Sequence, residues 1–483
     1  IARQFSLSFE LDAFNVANNL PDMLFALISG GAMSMALIPV LSEYLATRGR
    51  PEAWKLFSRI ANLAFLITAV ASVFIAIFAE EIVRAEIGIA PGFGIEQQET
   101  IISLMRLNLI ATTIFSVSGL VMGGLQANQH FLLPAMAPML YNIGQIFGAL
   151  VFSPSEPYSF LGITLPALGL GIYGLVYGVI LGAALHLGIQ IPGLVKYQFR
   201  WTPSITIKDE GVVKALKIMG PRIITMLGIQ LVFIARDNFA SRMDEIGAVT
   251  ALTYGWMIMQ VPETLLGTAI ATAILPTLSE YAATDNWTKF RETIEKAIRV
   301  MIALTLPAAA ILSAGLLPLV RLVFGFDVGG THLLTWTARA FLLTLAGYAI
   351  QEVLSRAFYA RKEALVPLFT IFLRFGLYIL GGIIVLNYFP ELSATGFALA
   401  ELAVVVEAGV MLYIMNARLP TRVTALPSLL RGLTAALLGG VSAYAIALYL
   451  PGGAVVTAII GMLVGIGVAL PIIWTEVRLL FNL

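Results

Sequence analysis

The sequence predicts an all-α polytopic membrane protein built from a duplicated bundle of helices. Three observations predict it. Of 483 residues, 59% are hydrophobic and 12% charged, with mean hydropathy +0.90; soluble domains carry about 25% charged residues. Thirteen stretches are long and apolar enough to make spanning helices, which need about 20 such residues. A phrase also occurs twice: residues 36–47 read Ala-Leu-Ile-Pro-Val-Leu-Ser-Glu-Tyr-Leu-Ala-Thr, and residues 273–284 read Ala-Ile-Leu-Pro-Thr-Leu-Ser-Glu-Tyr-Ala-Ala-Thr. A duplicated membrane bundle is a mark of transporters.

The thirteen segments, in order, cover residues 14–44, 57–79, 101–124, 132–153, 166–194, 213–239, 247–281, 296–325, 335–360, 366–387, 394–416, 427–450 and 454–480. Their continuous apolar character argues for helices, since a membrane β-barrel shows alternating segments of about ten residues. Pro21, Pro138, Pro221, Pro262 and Pro307 interrupt several of them, which spanning helices tolerate where neighbours satisfy the freed backbone. Beginning on Ile, the chain is expected to lack a first helix, for fourteen in the full protein.

Orientation follows from the basic residues. With loop 45–56 placed in the cytoplasm, that side collects Arg48, Arg50, Lys55, Arg59, Lys196, Arg200, Lys208, Lys289, Arg291, Arg361, Lys362, Arg418, Arg422 and Arg478. The opposite side holds Arg3, Arg84 and Arg242, with the acids Glu80, Glu81, Glu86, Glu96 and Glu99. The C-terminus is then cytoplasmic. Both copies of the repeated phrase end on the cytoplasmic side, so the repeat is parallel. A second echo, residues 127–134 against 360–367, lies at nearly the same offset. The polar stretch 195–212 reads as a linker, and the last two helices fall outside the repeat.

A formal charge of +1 gives no sign of a nucleic-acid partner, and with no cysteine disulfides and thiol chemistry are excluded. Three scattered histidines offer no ordinary zinc site. No paired catalytic constellation, nucleotide loop or metal spacing points to an enzyme.

Several motifs occur in a specific order. They are Asp12-Ala13-Phe14 with Asn19-Leu20-Pro21, the run 31–44, Ala90-Pro91-Gly92-Phe93, and the set Phe131, Pro134, Ala137, Pro138, Asn142 and Ile143. Met219-Gly220-Pro221 follows, then Pro262, Gly267 and Pro276. In order and spacing they resemble the MurJ/MviN lipid II flippases, within the multidrug/oligosaccharidyl-lipid/polysaccharide exporter superfamily. The resemblance runs over most of the chain.

The resemblance implies two pseudo-symmetric helical lobes around a central cavity, plus two extra C-terminal helices forming a groove for a polyprenyl tail. The expected domains are an N-terminal lobe at 1–194 with its first helix missing, a cytoplasmic linker at 195–212, a C-terminal lobe at 213–420 and the two additional helices at 427–483. It further implies a multi-pass protein of the bacterial cytoplasmic (inner) membrane. Its substrate would be a polyprenyl-linked headgroup, moved from the inner to the outer leaflet by alternating access, with membrane lipid as surroundings and other membrane proteins as candidate associates. The chain departs from the family pattern as well. Phe25, Ala26 and Gly30 stand where members carry charges after the first motif, Asp22 replaces an Asn, and Met257 stands where an Arg is expected.

Ionisable groups within spanning helices cost roughly 3 kcal/mol or more at mid-bilayer and so mark functional candidates. Arg222, Arg236, Asp237, Arg374 and Glu263 are candidate substrate-binding residues; the arginines could grip phosphate oxygens in bidentate fashion, and Glu263 would suit the coupled-exporter alternative. Arg222 and Arg236 lie fourteen residues apart on one helix face, with Asp237 about 100° away. They either serve a moving headgroup or snorkel to the two surfaces. Arg374 is expected to bridge to Glu401 and Glu407, or with them to couple to a proton or cation. Glu352 and Arg356, four apart, read as a structural ion pair. Arg3, Asp12, Asp22, Glu43 and Glu280 are candidate gate or lobe contacts; Asp12 reads equally as a solvated charge, and Glu43 and Glu280 as surface pins paired with nearby bases. His186 reads as a buried hydrogen bonder, and Gly461 with Gly465 as a close-packing pair. No cofactor is expected beyond a coupling cation or proton. Two other functions stay open: a non-transporting scaffold or accessory subunit, and a cation- or proton-coupled exporter of small amphiphiles.

Overall fold

The computed structural model describes the backbone of residues 1–30, 32–160 and 162–480, with side chains throughout except at 29, 30, 32–36, 160, 163, 221 and 222. It is nearly all helical. The helices are α1 (Ala2–Phe5), α2 (Phe9–Phe25), α3 (Ala32–Thr47), α4 (Arg50–Ile77), α5 (Ala79–Arg84), α6 (Ile95–Ala127), α7 (Leu132–Phe147), α8 (Ile172–Gly188), α9 (Ile191–Lys196) and α10 (Glu210–Ser241). There follow α11 (Ala248–Pro262), α12 (Ala269–Ala283), α13 (Trp287–Phe324), α14 (Val328–Ala360), α15 (Leu365–Tyr388), α16 (Ser393–Ala400), α17 (Ala403–Arg418), α18 (Leu426–Tyr449) and α19 (Ala454–Leu480). One small antiparallel hairpin pairs Tyr158–Phe160 with Ile163–Leu165.

Among the described residues, twelve helical spans are long and apolar enough to cross a membrane, and they match twelve of the thirteen expected segments. The remaining segment, 14–44, is carried by α2, a π-helical turn at Ala26–Gly30, and α3, with Gly31 between them outside the described residues.

By contact, the chain forms two compact units, Phe9–Asn238 and Ile1–Ser8 with Phe239–Leu483. In the first, α6 is the central post and touches α2, α3, α4 and α8. In the second, α14 has the same role and touches α11, α12, α13, α16 and α17. These two posts are equivalents in the repeat, and their ends show it. His130 N donates to Leu125 O at 3.0 Å and Gln129 N to Gln126 O at 2.9 Å; Glu363 N donates to Phe358 O at 2.9 Å and Lys362 N to Tyr359 O at 2.9 Å. Both are Schellman closures, and Gln129 and Lys362 each take the left-handed conformation with φ 60°. The first echo is equally physical. Leu37 and Ile274, and Leu41 and Leu278, are buried at matching positions, while Pro39 and Pro276 are exposed. The π-helical turns Ala26–Gly30 and Glu263–Thr268 also occupy equivalent places.

The expected linker is not free chain. Tyr197 O accepts from Trp54 Nε1 at 2.9 Å, and Asn62 Nδ2 donates to Thr202 O at 2.8 Å and Ser204 O at 3.0 Å. Asp209 pairs with Arg59 at 2.5 Å, and its other oxygen caps α10 by accepting from Gly211 N and Val212 N at 3.0 and 3.3 Å. Residues 195–212 and α10 as far as Asn238 thus belong to the same unit as α4.

The last two helices pack on each other and on α13. Gly461 and Gly465 make this close: a Cβ on them would fall 2.4 Å from Ala443 O and 2.6 Å from Gly439 O. At the other end of α19, Glu476 is fully buried. Its Oε1 accepts from Arg431 Nη1 at 2.8 Å and from Ser428 Oγ at 2.9 Å, with Arg299 Nη2 at 3.6 Å. One carboxylate thereby ties α13, α18 and α19. Glu476→Gln keeps the shape and removes the charge, so it is expected to cost about 2 kcal/mol, read as a lowered melting temperature in detergent with Arg478→Gln as control.

Candidate functional site

Among the described residues, three places where ionisable groups lie within the spans bear on the candidate site. The first joins α2 and α10. Arg236 Nε donates to Asp237 Oδ1 at 2.8 Å, and Asn19 Nδ2 donates to Asp237 Oδ2. Adjacent helical positions diverge by about 100°, yet these two side chains fold onto each other. Asp237 is 0% exposed and Arg236 7%, and the guanidinium lies over the Phe233 ring at 5.1 Å. The charge of Arg236 is therefore met inside the protein. Arg222 lies twelve residues into α10, and its side chain is outside the described residues.

The second site lies where α14, α15, α16 and α17 converge. Arg374 on α15 is buried and pairs with Glu401 at the end of α16. Its Nη1 lies 3.8 Å from Glu407 Oε2 on α17. Tyr348 of α14 donates to Glu401 Oε1 at 2.5 Å, accepts from Arg374 Nη2, and presents its ring 4.7 Å below the guanidinium. Thr370 Oγ1 donates to Glu407 Oε1 at 3.2 Å. The sequence expectation of a bridge from Arg374 to Glu401 and Glu407 matches this geometry. One cation faces two buried carboxylates.

Beside it, Glu352 and Arg356 pair at 2.9 Å one helical turn apart. Glu263 opens the π-helical turn and accepts from Thr268 Oγ1 at 3.0 Å. It lies within the field of both Glu352 and Arg356.

The third site is a cavity of about 430 Å³ within the Phe9–Asn238 unit. It is lined by Asp22 of α2, Asn108 and Phe115 of α6, and Tyr141 of α7. His186 of α8 also reaches it, with Nδ1 2.6 Å from Ser118 Oγ, and is buried as expected.

The remaining sequence candidates sit at helix ends. Arg3 Nη2 donates to Leu322 O at 2.5 Å, meeting an unpaired carbonyl in the last turn of α13. Asp12 is 1% exposed in the first turn of α2, so it is not a solvated loop charge; there it faces the positive end of the helix dipole. Glu43 pairs with Lys214. Glu280 is exposed and forms no ion pair among the described residues, so the expected pinning holds for the first copy of the phrase alone. Of the positions where charges were expected, Phe25 packs its ring 5.2 Å from Phe115 and Met257 is exposed.

Sequence reasoning missed Glu476, the pairing of Asn19 with Asp237, and the polar companions of Asp22. Glu476 carried a usable signal, an acid between apolar residues in the last span. The other two arise from residues far apart in the chain and had none.

The family model described as "Lipid II flippase MurJ" matches residues 1–464. The chain belongs to the MurJ family. Lipid II flippase MurJ of Burkholderia cenocepacia is 29% identical over 376 residues, covering 76% of this chain and 70% of that protein. The probable lipid II flippase MurJ of Buchnera aphidicola subsp. Acyrthosiphon pisum is 26% identical over 373 residues, with the same coverage. In fold, the chain is similar to a solved lipid II flippase MurJ in an inward closed conformation, with TM-score 0.77, 21% identity, and 98% and 93% of the two chains covered. It is also similar to an inward-facing multidrug resistance MATE transporter of the MOP superfamily, with TM-score 0.69, 15% identity, and coverage of 86% and 94%. The MurJ family is one of flippases rather than of catalysts, and with twelve candidate spans among the described residues the chain is a multi-pass inner-membrane protein.

Proposed function

We propose that this protein moves a lipid-linked peptidoglycan precursor, lipid II or a close analogue, from the inner to the outer leaflet by alternating access. The observation that carries the reading is the MurJ family match over residues 1–464. The relative solved in an inward closed conformation supports the access cycle, and the excess of basic residues in alternate loops supports a cytoplasmic C-terminus.

Residue roles follow from charge balance. Arg374 is neutralised by Glu401 from another helix and acts as a structural cross-link, whereas Arg236 is neutralised by Asp237 of its own helix, which Asn19 ties to α2. Arg222 is assigned to the headgroup phosphates on its place in an apolar segment of the sequence. Arg3, Asp12, Glu43 and Glu280 sit at helix ends and act in gating through the helices they close. A groove of about 730 Å³ among α13, α14, α18 and α19, with Leu317, Trp336 and Leu448 on its wall, suits a polyprenyl tail. No cofactor is assigned; a coupling proton or cation would meet its acceptors at Glu263 and Glu407.

Complementation tests the reading: the full-length gene is expressed in cells depleted of their own lipid II flippase. Rescue by the wild type is expected, with loss of rescue for Arg222→Ala at normal membrane level. Rescue by Arg222→Ala would remove that residue from the headgroup site. A second reading, a non-transporting accessory subunit, is favoured by the internal neutralisation of Arg236 and Arg374. Failure of the well-expressed wild type to rescue would select it.

A further inference from the structure

The cavity of the Phe9–Asn238 unit holds an unmatched charge. Its polar lining is largely engaged with itself. Asn108 Nδ2 donates to Asn18 Oδ1, Gln145 Nε2 donates to Tyr141 Oη at 2.8 Å, and His186 meets Ser118. Asp22 differs. Among the described residues its carboxylate has no hydrogen bond and no ion pair, and the ionisable group that feels its charge is the Tyr141 phenol. Its side chain is exposed and lines the cavity.

The apolar lining is aromatic. Phe25 and Phe115 meet at 5.2 Å, Phe115 and Tyr141 at 5.1 Å. A π-helical turn begins one helical turn after Asp22, a backbone device frequent at functional sites. A carboxylate within a spanning helix is costly unless a partner meets it. A hard metal ion wants six or more oxygen ligands, and among the described residues no cluster of three His, Cys, Asp or Glu exists to hold one. An ammonium with apolar substituents suits both features, since ring faces attract cations and a mostly apolar pocket with one placed charge fixes orientation.

We propose that this cavity binds an organic cation, with Asp22 as counter-charge and Phe25, Phe115 and Tyr141 as its aromatic wall. The ammonium comes either from a free amphiphile or from an amine on the headgroup of a lipid-linked precursor. Binding is separable from translocation, so this site stands or falls independently of the flippase assignment.

The test is calorimetric titration of the purified full chain, in neutral detergent, with benzyltrimethylammonium. Saturable one-to-one binding is expected, weakened about tenfold in Asp22→Asn, an ion-pair contribution of about 1.4 kcal/mol. The neutral isostere neopentylbenzene is expected to bind both proteins alike. Melting in the same detergent checks that Asp22→Asn folds. Phe115→Leu keeps the carboxylate, thins the aromatic wall and is expected to weaken binding severalfold. Competition with a lipid-linked precursor carrying a free amine, against its N-acetylated form, separates the sources: displacement by the amine form alone assigns the headgroup, and displacement by neither assigns a free cation. Equal affinity of wild type and Asp22→Asn for benzyltrimethylammonium, or no saturable binding by the wild type, overturns the proposal.

Discussion

Arg374→Met is expected to cost about 3–5 kcal/mol of stability, the usual result of removing one partner from a buried ion pair. Arg374 holds Glu401 and Glu407 together, both carboxylates are buried, and Tyr348 and Thr370 are oriented around the same charges. Without the guanidinium, α15, α16 and α17 converge on two unpaired acids at membrane depth. The loss comes from those stranded acids rather than from the missing arginine packing. The triple change Arg374→Met with Glu401→Gln and Glu407→Gln is therefore expected to recover much of the stability, because it removes the charges together. Arg374→Lys is expected to fall between, since a point charge cannot reproduce the forked contact with two carboxylates and a phenol. Thermal unfolding in detergent and protein level in the membrane read all four proteins. A melting curve for Arg374→Met that matches wild type would show that the cluster does not hold these helices.

Gly178→Leu is expected to separate α7 from α8. Across this pair Gly144 and Gly148 face Gly174, Gly178 and Gly182. A Cβ on Gly178 would lie 2.7 Å from Gly148 Cα, and one on Gly144 would lie 2.4 Å from Gly182 Cα. Both obstacles are backbone, so no rotamer change relieves the clash. Overpacking costs about 1–3 kcal/mol per insertion, occasionally more; alanine at 178 belongs in that range and leucine above it. Gly188, where an added Cβ meets nothing within 4 Å, supplies the control substitution. The effect reaches the cavity too, because a Cβ on Gly182 would meet the Tyr141 ring at 2.7 Å. Gly182→Ala is thus expected to shift Tyr141, and with it the binding of benzyltrimethylammonium, before it unfolds the protein. Unchanged melting of Gly178→Leu would refute close helix contact as the support of this unit.

The spans were legible because length and apolarity leave few alternatives in a bilayer. The repeat was legible as words, and the structure shows matching devices at matching positions: the two π-helical turns, and the left-handed Gln129 and Lys362. Arg374 with Glu401 and Glu407 was readable too, since isolated charges in apolar segments must find each other. Arg236 was not. Its neighbour Asp237 should diverge on an ideal helix, and the third member, Asn19, comes from a helix more than two hundred residues earlier. The glycines of α7 and α8 were equally hidden, because glycine is common in membrane helices and spacing alone does not say which face meets a neighbour.

By itself the sequence determined that this chain crosses the membrane many times, that a phrase recurs about half a chain apart, and that its motifs follow the MurJ pattern. Those properties are carried by local hydropathy, loop charge and ordered short motifs, which need no knowledge of neighbours. Tertiary structure decided which charges remain available. It closed Arg236 and Arg374 into buried pairs and left Asp22 open to an aromatic cavity. Whether an ionisable side chain is spent or available depends on what stands within a few ångströms of it, and in a helical bundle most of those neighbours come from other helices.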